Sequence, residues 1–406
     1  MTARTALVST YYAPVIGGAE AAAERLAGYL ARHGHEVFVI TKRTSRDHSE
    51  HENIEGVPVW RRPPIGPRSA LGKWLFLPWV VGGLLARRHQ YDVIVVVDQR
   101  ATGVAALAAA RWLGKPLVIQ PQTQGTLDGR HPQKTGWRDL VHRTATWPLR
   151  QCYSRADAAV CITHSIVAEG RALGMDASRL AYVPNPVDES FFLPVPADER
   201  QRARADLGIA ADDVVFVYTG RLSREKGIRE LLAAWKVAAR PGLRLLVIGP
   251  DMVGHPWNEG PEARALVARE HLEATVTFLG PRSHADVGSL MRLADVGVLP
   301  SHFEAHPVAG VEAMACGLPL IASRVGGVPD FVRDEENGLL VPPQDVAALT
   351  RAIERAARDA AWRVRAGRAA RDTVRAFSAD VLLARFAGVI GAAATRTAGA
   401  APVAPA

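Results

Sequence analysis

Four loops of this chain combine side chains suited to a charged, hydroxyl-rich ligand. One runs Thr219-Gly220-Arg221-Leu222-Ser223-Arg224-Glu225-Lys226-Gly227. Arg221 offers a planar fork that can pair with two phosphate oxygens, and Lys226 adds a point charge, so the two suit a diphosphate. Arg224 and Glu225 read as a solvated charge run. A second loop, Pro300 to Pro319, sets Glu304 and Glu312 eight residues apart, with Glu312 in the first turns of a helix. Carboxylates accept hydrogen bonds from vicinal hydroxyls, so such a pair can grip a sugar ring and a ribose while the helix-start amides between them face phosphate. In the third loop, Tyr11 to Glu20, the pair Gly17-Gly18 lets backbone N–H groups approach an anion at a helix start; a plain tight turn explains it equally. The fourth, Arg324 to Asp330, carries Gly326-Gly327 and is open between a site border and a structural turn.

The elements around these loops alternate. Strands are expected at Thr5–Thr10, Glu36–Thr41, Val57–Trp60, Asp92–Val97, Leu117–Gln120, Ala158–Ile162 and Leu180–Val183, with helices at Glu20–His33, Thr102–Leu113 and Ser165–Leu173. A proline-rich stretch from Asn185 to Pro196 reads as a linker. The alternation then restarts, with strands at Val214–Thr219, Leu243–Ile248, Val276–Leu279, Val296–Leu299, Leu318–Ala322 and Leu339–Val341. Helices are expected at Gly227–Ala239, Glu262–His271, Ala285–Leu293 and Val311–Ala315. Several strands are unbroken Val/Ile runs, as parallel strands buried on both faces require. The class is therefore α/β, with two doubly wound parallel sheets. In such sheets ligands sit beyond the carboxyl ends of the strands, where all four loops fall. Past about Leu349 the chain is helical and rich in Ala and Arg, and residues 392–406 read as a disordered tail.

Composition narrows the partners. The 406 residues are 48% hydrophobic and 22% charged, which excludes a disordered or fibrous chain. A net charge of +8 favours acidic partners without choosing among them. Dispersed arginines and the lack of a helix-turn-helix or RNA-binding signature argue against nucleic acid. Cys152, Cys161 and Cys316 are too few and scattered for a disulfide framework or a four-ligand zinc site, which points to a reducing cytoplasm. Met1 to Ser9 lacks a signal-peptide layout. The longest apolar run, Trp74 to Ala86, has 13 residues, short of the roughly 18 that span a bilayer. Arginines flank it, so it reads as a surface against anionic lipid or, as its length favours, a buried helix with basic ends.

Taken in order, these motifs resemble the retaining glycosyltransferases of family 4, in the glycosyltransferase group 1 superfamily. The resemblance covers Ala6 to about Leu383. It is carried by Pro14 to Glu20, Val183-Pro184-Asn185-Pro186-Val187-Asp188, Gly220-Arg221-Leu222 with Lys226-Gly227, Phe278-Leu279-Gly280, Leu299-Pro300-Ser301, Glu304 to Glu312 with Glu-Ala-Met-Ala-Cys-Gly-Leu-Pro, Gly326-Gly327-Val328-Pro329 and Asn337-Gly338-Leu339-Leu340-Val341. It implies the GT-B fold, two Rossmann-like doubly wound domains facing a cleft. Residues 1–190 would form an acceptor-binding domain and 197–377 a nucleotide-sugar-binding domain, with a helix at about 378–391 returning to the first. The resemblance also implies roles. Arg221, Lys226 and Glu304 would be catalytic, the two cations holding the donor diphosphate and Glu304 the donor-sugar hydroxyls. Glu312 would take the nucleotide ribose, and the Gly17-Gly18 loop would close over the phosphates.

No cofactor and no metal are implied, and the sequence has no Asp-x-Asp triplet. The partners would be a nucleotide diphospho-sugar and a hydroxyl acceptor, soluble or lipid-linked. The acceptor would dock near Gln124 to His131 and the Trp74–Ala86 run, which suits peripheral contact with the inner membrane surface. Some positions depart from the family. Gln124 stands where many relatives carry a histidine; it can hydrogen-bond a sugar but cannot act as a base. The usual Glu-Gly-Phe-Gly is Glu304-Ala305-His306-Pro307. Pro307 has no N–H, so phosphate contacts fall to Val308 or Ala309, and His306 faces the sugar or is an ordinary loop histidine. Two other functions fit the same residues: a non-catalytic sugar-nucleotide binder and a sugar-nucleotide epimerase of the same fold.

Overall fold

The computed structural model describes residues 3–398 except 16, 67–68, 98–99, 126, 128–135, 138–139, 142–143, 145, 148–149, 151–152 and 189. His131, Cys152 and the last eight positions of the expected tail lie outside the described residues. The chain divides into two compact units, Met1–Pro184 with Leu382–Ala406, and Asn185–Val381.

The first unit runs β1 (Thr5–Ser9), α1 (Gly18–Arg32), β2 (Val37–Lys42), β3 (His51–Ile54), β4 (Val57–Arg62), α2 (Ala70–Leu75), α3 (Leu77–Ala86), β5 (Val93–Val97), α4 (Arg100–Leu113), β6 (Leu117–Gln120), β7 (Ala158–Cys161), α5 (His164–Ala172) and β8 (Leu180–Tyr182). Its sheet has the order β3-β4-β2-β1-β5-β6-β7-β8. Every pair is parallel except β3 with β4. β1, β2, β5, β6 and β7 are buried at every residue, the consequence of helices on both faces. β3 has no apolar pattern because it is a half-exposed edge strand. It folds back on β4 through Glu55 and Gly56, whose φ angles are 50° and 86°, the left-handed pair that tight hairpins need.

The Trp74–Ala86 run is not one buried helix. α2 and α3 meet at Phe76, which is fully buried; Val80 and Leu84 face inward, while Trp74, Leu75 and Trp79 are exposed. Among the described residues no helix is long and apolar enough to cross a membrane.

The second unit runs α6 (Ala197–Asp206), β9 (Val214–Thr219), α7 (Ile228–Ala238), β10 (Leu243–Ile248), α8 (Gly260–Arg269), β11 (Val276–Gly280), α9 (His284–Met291), β12 (Val296–Leu299), α10 (Val308–Ala315), β13 (Leu320–Ser323), β14 (Gly338–Val341), α11 (Val346–Arg358) and α12 (Ala360–Val374). The sheet order β11-β10-β9-β12-β13-β14 is parallel throughout. Strands are laid down outward from β9 in one direction, then from β12 in the other. The crevice past the carboxyl ends of these two neighbours is the ligand position of a doubly wound sheet. In the first unit, β1 and β5 hold the equivalent place. The final helix, α13 (Ala379–Ala398), buries Leu382, Phe386, Ile390 and Ala393, the spacing of one helical face. It continues past position 391, so residues 392–398 are helical where the sequence reading expects a tail; their alanines favour helix once the apolar face has docked.

α6 shows why a helix with no apolar stripe escapes sequence reading. Its residues, ADERQRARAD, include no apolar side chain larger than alanine. It is held instead by Asp295, whose carboxylate accepts from Arg200 and Arg204, each at 2.7 Å, and from the Val215 N–H at 2.8 Å. Arg204 also donates to Leu293 O at 2.8 Å. Burial pushes the Asp295 carboxyl up, but the two guanidiniums and the backbone bond outweigh it and hold its pKa below the ordinary 3.8. The pair thus stabilises the fold above pH 3.8 and is lost as pH falls through the lower folded value. Asp295→Asn leaves two cations unpaired and is expected to cost about 3 kcal/mol in denaturant unfolding at neutral pH, with a shallower loss of stability on acidification below pH 4 than the parent chain.

Candidate active site

At the carboxyl end of β9 the backbone turns sharply. Gly220 N donates to Ile248 O at 3.0 Å, and the buried Tyr218 hydroxyl donates to Arg221 O at 2.8 Å. Burial, with Glu304 adding to it, pushes the Tyr218 phenol far up, so it stays a neutral donor. A single 3-10 turn, Arg224–Lys226, ends at Gly227 with φ 69°. A Cβ at Gly227 would collide with Pro300 O, so this glycine sets the loop after β9 directly against the loop after β12. His302 N donates to Glu225 O at 2.8 Å across the same seam.

That contact brings Lys226 to Glu304. Lys226 Nζ donates to Glu304 Oε1 at 2.6 Å, and Ser301 Oγ donates to the same oxygen at 2.7 Å. The Glu304 side chain is 8% exposed and that of Lys226 21%. Arg221 pairs with Glu225, so Glu225 is not the solvated charge expected of it; its side chain is 16% exposed, against 51% for Arg221. The two cations are therefore not equivalent. The exposed Arg221 pair is worth about 0–1 kcal/mol and yields readily to a stronger anion. Lys226 sits in a more buried pair, on a carboxylate that Ser301 also fixes.

The Gly326-Gly327 loop backs this arrangement. Gly326 has φ 53°, a Cβ there would strike Glu304 O, and Gly327 N donates to Ala305 O at 2.8 Å. α10 starts at Val308, three residues before the sequence pattern suggests, with Pro307 as its cap. Helix geometry leaves the Val308 and Ala309 N–H groups without intrahelical acceptors. Glu312 is buried one turn on, with His284 Nε2 at 3.6 Å from its Oε1; His284 lies edge-on to Phe192 at 4.9 Å.

His306 is enclosed. It is 6% exposed, with Phe331 and Phe377 at 5.6 Å and 5.9 Å, and neither ring nitrogen has a hydrogen-bond partner. Burial holds its pKa down to about 4, so the ring is neutral at physiological pH.

In the first unit, Gly17 caps α1 in an extended conformation and accepts from Ala21 N at 2.9 Å, while Gly18 has open space where a Cβ would stand. Gln124 Nε2 donates to Ser165 Oγ, at the start of α5. Gly125 N and Leu127 N donate to Glu169 at 2.8 and 3.3 Å, tethering the loop after β6 to that helix.

The structure thus brings Lys226 and Glu304 into contact and sets Arg221 on the same loop as Lys226, with Val308, Ala309 and Glu312 on the helix that follows Glu304. Sequence reading took Glu225 for a solvated charge and gave no role to Ser301 or His284, which do not announce themselves by spacing.

A double-Rossmann architecture with cationic and acidic groups meeting at a sheet switch point defines the class of nucleotide-sugar enzymes with the GT-B fold. The comparisons agree. Residues 199–373 match the model of glycosyl transferases group 1, and residues 16–191 that of glycosyltransferase family 4. A D-inositol 3-phosphate glycosyltransferase of Mycobacterium bovis is 32% identical over 427 residues, spanning 96% of this chain and 84% of that protein. A sucrose-phosphate synthase from Thermosynechococcus elongatus superposes with TM-score 0.80 at 26% identity, over 98% of this chain and 100% of the other. Anabaena HepE, solved with UDP, superposes at 0.75 with 22% identity, over 96% and 100%. The chain belongs to the group 1 glycosyltransferases.

The His306 pocket makes a pH prediction. The folded chain keeps the ring neutral down to about pH 4, whereas the unfolded chain protonates it near 6.5, so acidification between these values favours unfolding. His306→Phe removes that proton uptake, and its melting temperature should fall less than the parent's between pH 6.5 and 4.

Proposed function

We propose that this chain is a retaining glycosyltransferase, moving a sugar from a nucleotide diphospho-sugar to a hydroxyl acceptor. The observation that carries this reading is the Lys226–Glu304 pair at the β9/β12 switch point, beside an Arg221 whose guanidinium is half exposed. The second unit would bind the donor and the first the acceptor. As the bond between the anomeric carbon and the diphosphate oxygen breaks, the electron pair leaves with the diphosphate. Arg221 trades Glu225 for the departing phosphate, and the free amides of Val308 and Ala309 and the remaining N–H groups of Lys226 meet the same charge. Glu304, oriented by Lys226 and Ser301, accepts from donor-sugar hydroxyls, and Glu312 accepts from the ribose. The acceptor hydroxyl attacks on the face the diphosphate leaves, and a phosphate oxygen takes its proton, so configuration is retained without a protein base. Gln124 then serves as a hydrogen-bonding group on the acceptor side, and neutral His306 supports the Glu304 loop beside the sugar.

Arg221→Ala tests the charge argument. With an exposed pair lost, unfolding should be nearly unchanged, while kcat/KM for transfer should drop about 10²- to 10³-fold. Full turnover in this variant overturns the reading. A thermal-shift panel of UDP-, GDP- and ADP-sugars identifies the donor, since a bound donor stabilises the fold by mass action.

A lipid-linked acceptor is favoured over a soluble one by Trp74, Leu75 and Trp79, which stand exposed on α2 and α3 next to Lys73. Apolar tips beside a cation suit the interface of an anionic bilayer. The parent chain should co-sediment with vesicles of anionic phospholipid, and Trp74→Asp with Leu75→Asp should abolish this without lowering the melting temperature. Equal sedimentation of both proteins counts against membrane contact.

A further inference from the structure

A second charged region lies at the opposite end of α10. There a groove of about 410 Å³ opens between the segment at Pro194, the Gly317–Leu318 turn that leads into β13, and α12. Ala294 and Asp295, just before β12, also line it, so it sits at the amino ends of the strands. The eight residues of α10 put roughly 12 Å of helix between this groove and the Val308 end.

Five arginines line the groove, Arg200, Arg292, Arg363, Arg368 and Arg371, against one acidic residue, Asp295. Asp295 is already committed to Arg200 and Arg204. Among the described residues the other four have no ion pair. Two of them also cap helices: Arg363 Nη1 donates to Ala356 O and Ala357 O at 2.6 and 3.0 Å, and Arg371 Nη1 reaches Ala315 O at 3.4 Å. Arg292 Nη2 donates to Ser289 Oγ at 2.9 Å. Each bond occupies one nitrogen of a group that carries five N–H donors on three nitrogens. Capping accounts for neither Arg292 nor Arg368. Four cations without carboxylate partners around one concavity repel each other, and an entering anion relieves that repulsion.

We propose that this groove binds a compact polyanion, a small ligand carrying two or more phosphate groups. Its volume falls within the roughly 300–1,000 Å³ of small-molecule sites, and arginine, the residue type that lines it most often, offers a planar fork that matches phosphate oxygens. The ligand is distinct from the sugar donor, because the groove shares no residue with the loops after β9 and β12.

Calorimetric titration of the full chain with inorganic tripolyphosphate tests this. The titration is done on Arg221→Ala, which weakens anion binding at the β9 loop and leaves the groove intact. Saturable binding is expected. Adding Arg368→Glu or Arg292→Glu should weaken the dissociation constant by about tenfold or more for each reversed charge. Arg368 is exposed, so its reversal should not disturb the fold, and a melting curve checks that. No saturable binding by Arg221→Ala, or unchanged affinity after both reversals, overturns the proposal. Either result leaves the transfer reading standing, because that reading is judged on turnover by Arg221→Ala.

Discussion

The contact between the loops after β9 and β12 is the constraint on which the site depends. It exists because Gly227 has no side chain and can take a left-handed conformation against Pro300 O. Through it a lysine from one loop and a buried glutamate from the other share a hydrogen-bonded pair. A buried carboxylate without hydrogen-bond partners is costly to fold. Lys226 and Ser301 give Glu304 the partners that let it remain an oriented acceptor. Gly326 closes the arrangement from behind, at a position where a side chain would strike the Glu304 carbonyl, and the Gly327 N–H holds Ala305 O next to it.

Much of this was legible in the residues. Unbroken Val and Ile runs marked the buried parallel strands, because helices cover both sheet faces and leave no polar alternation. The alternation of strands and helices also put the chemically suggestive loops after the carboxyl ends of strands. What escaped has physical causes. β3 is an edge strand whose residues meet water, and α6 is fastened by a carboxylate between two guanidiniums and not by an apolar stripe. The division of Trp74–Ala86 into two short helices with outward tryptophans could not be read from hydropathy, which records how apolar a run is and not which way it faces. In the site, Glu225 looked like part of a solvated run because sequence shows spacing and not the fold of a single 3-10 turn.

Arginine serves three different purposes in the second unit. Arg200 and Arg204 neutralise a buried acid and fasten a helix. Arg363 and Arg371 satisfy carbonyls at helix ends, where cations also meet the negative end of the helix dipole. Arg221 does neither and is half exposed at the end of a strand. The positive charge of this unit is thus not uniform in its use: some of it is consumed internally, and four arginines without ion pairs among the described residues line the groove at the Gly317 end of α10.

If Arg221 holds the donor diphosphate as proposed, its pair with Glu225 has a consequence for which anions the site accepts. Glu225 is a tethered competitor, present at the guanidinium at a high effective concentration whatever the solution contains. A small monoanion offers Arg221 nothing that the carboxylate does not already give. Only a ligand that engages Arg221 and neighbouring donors together can outbid it. The free protein thereby carries its own decoy, and chelation, more than charge alone, becomes the criterion for entry.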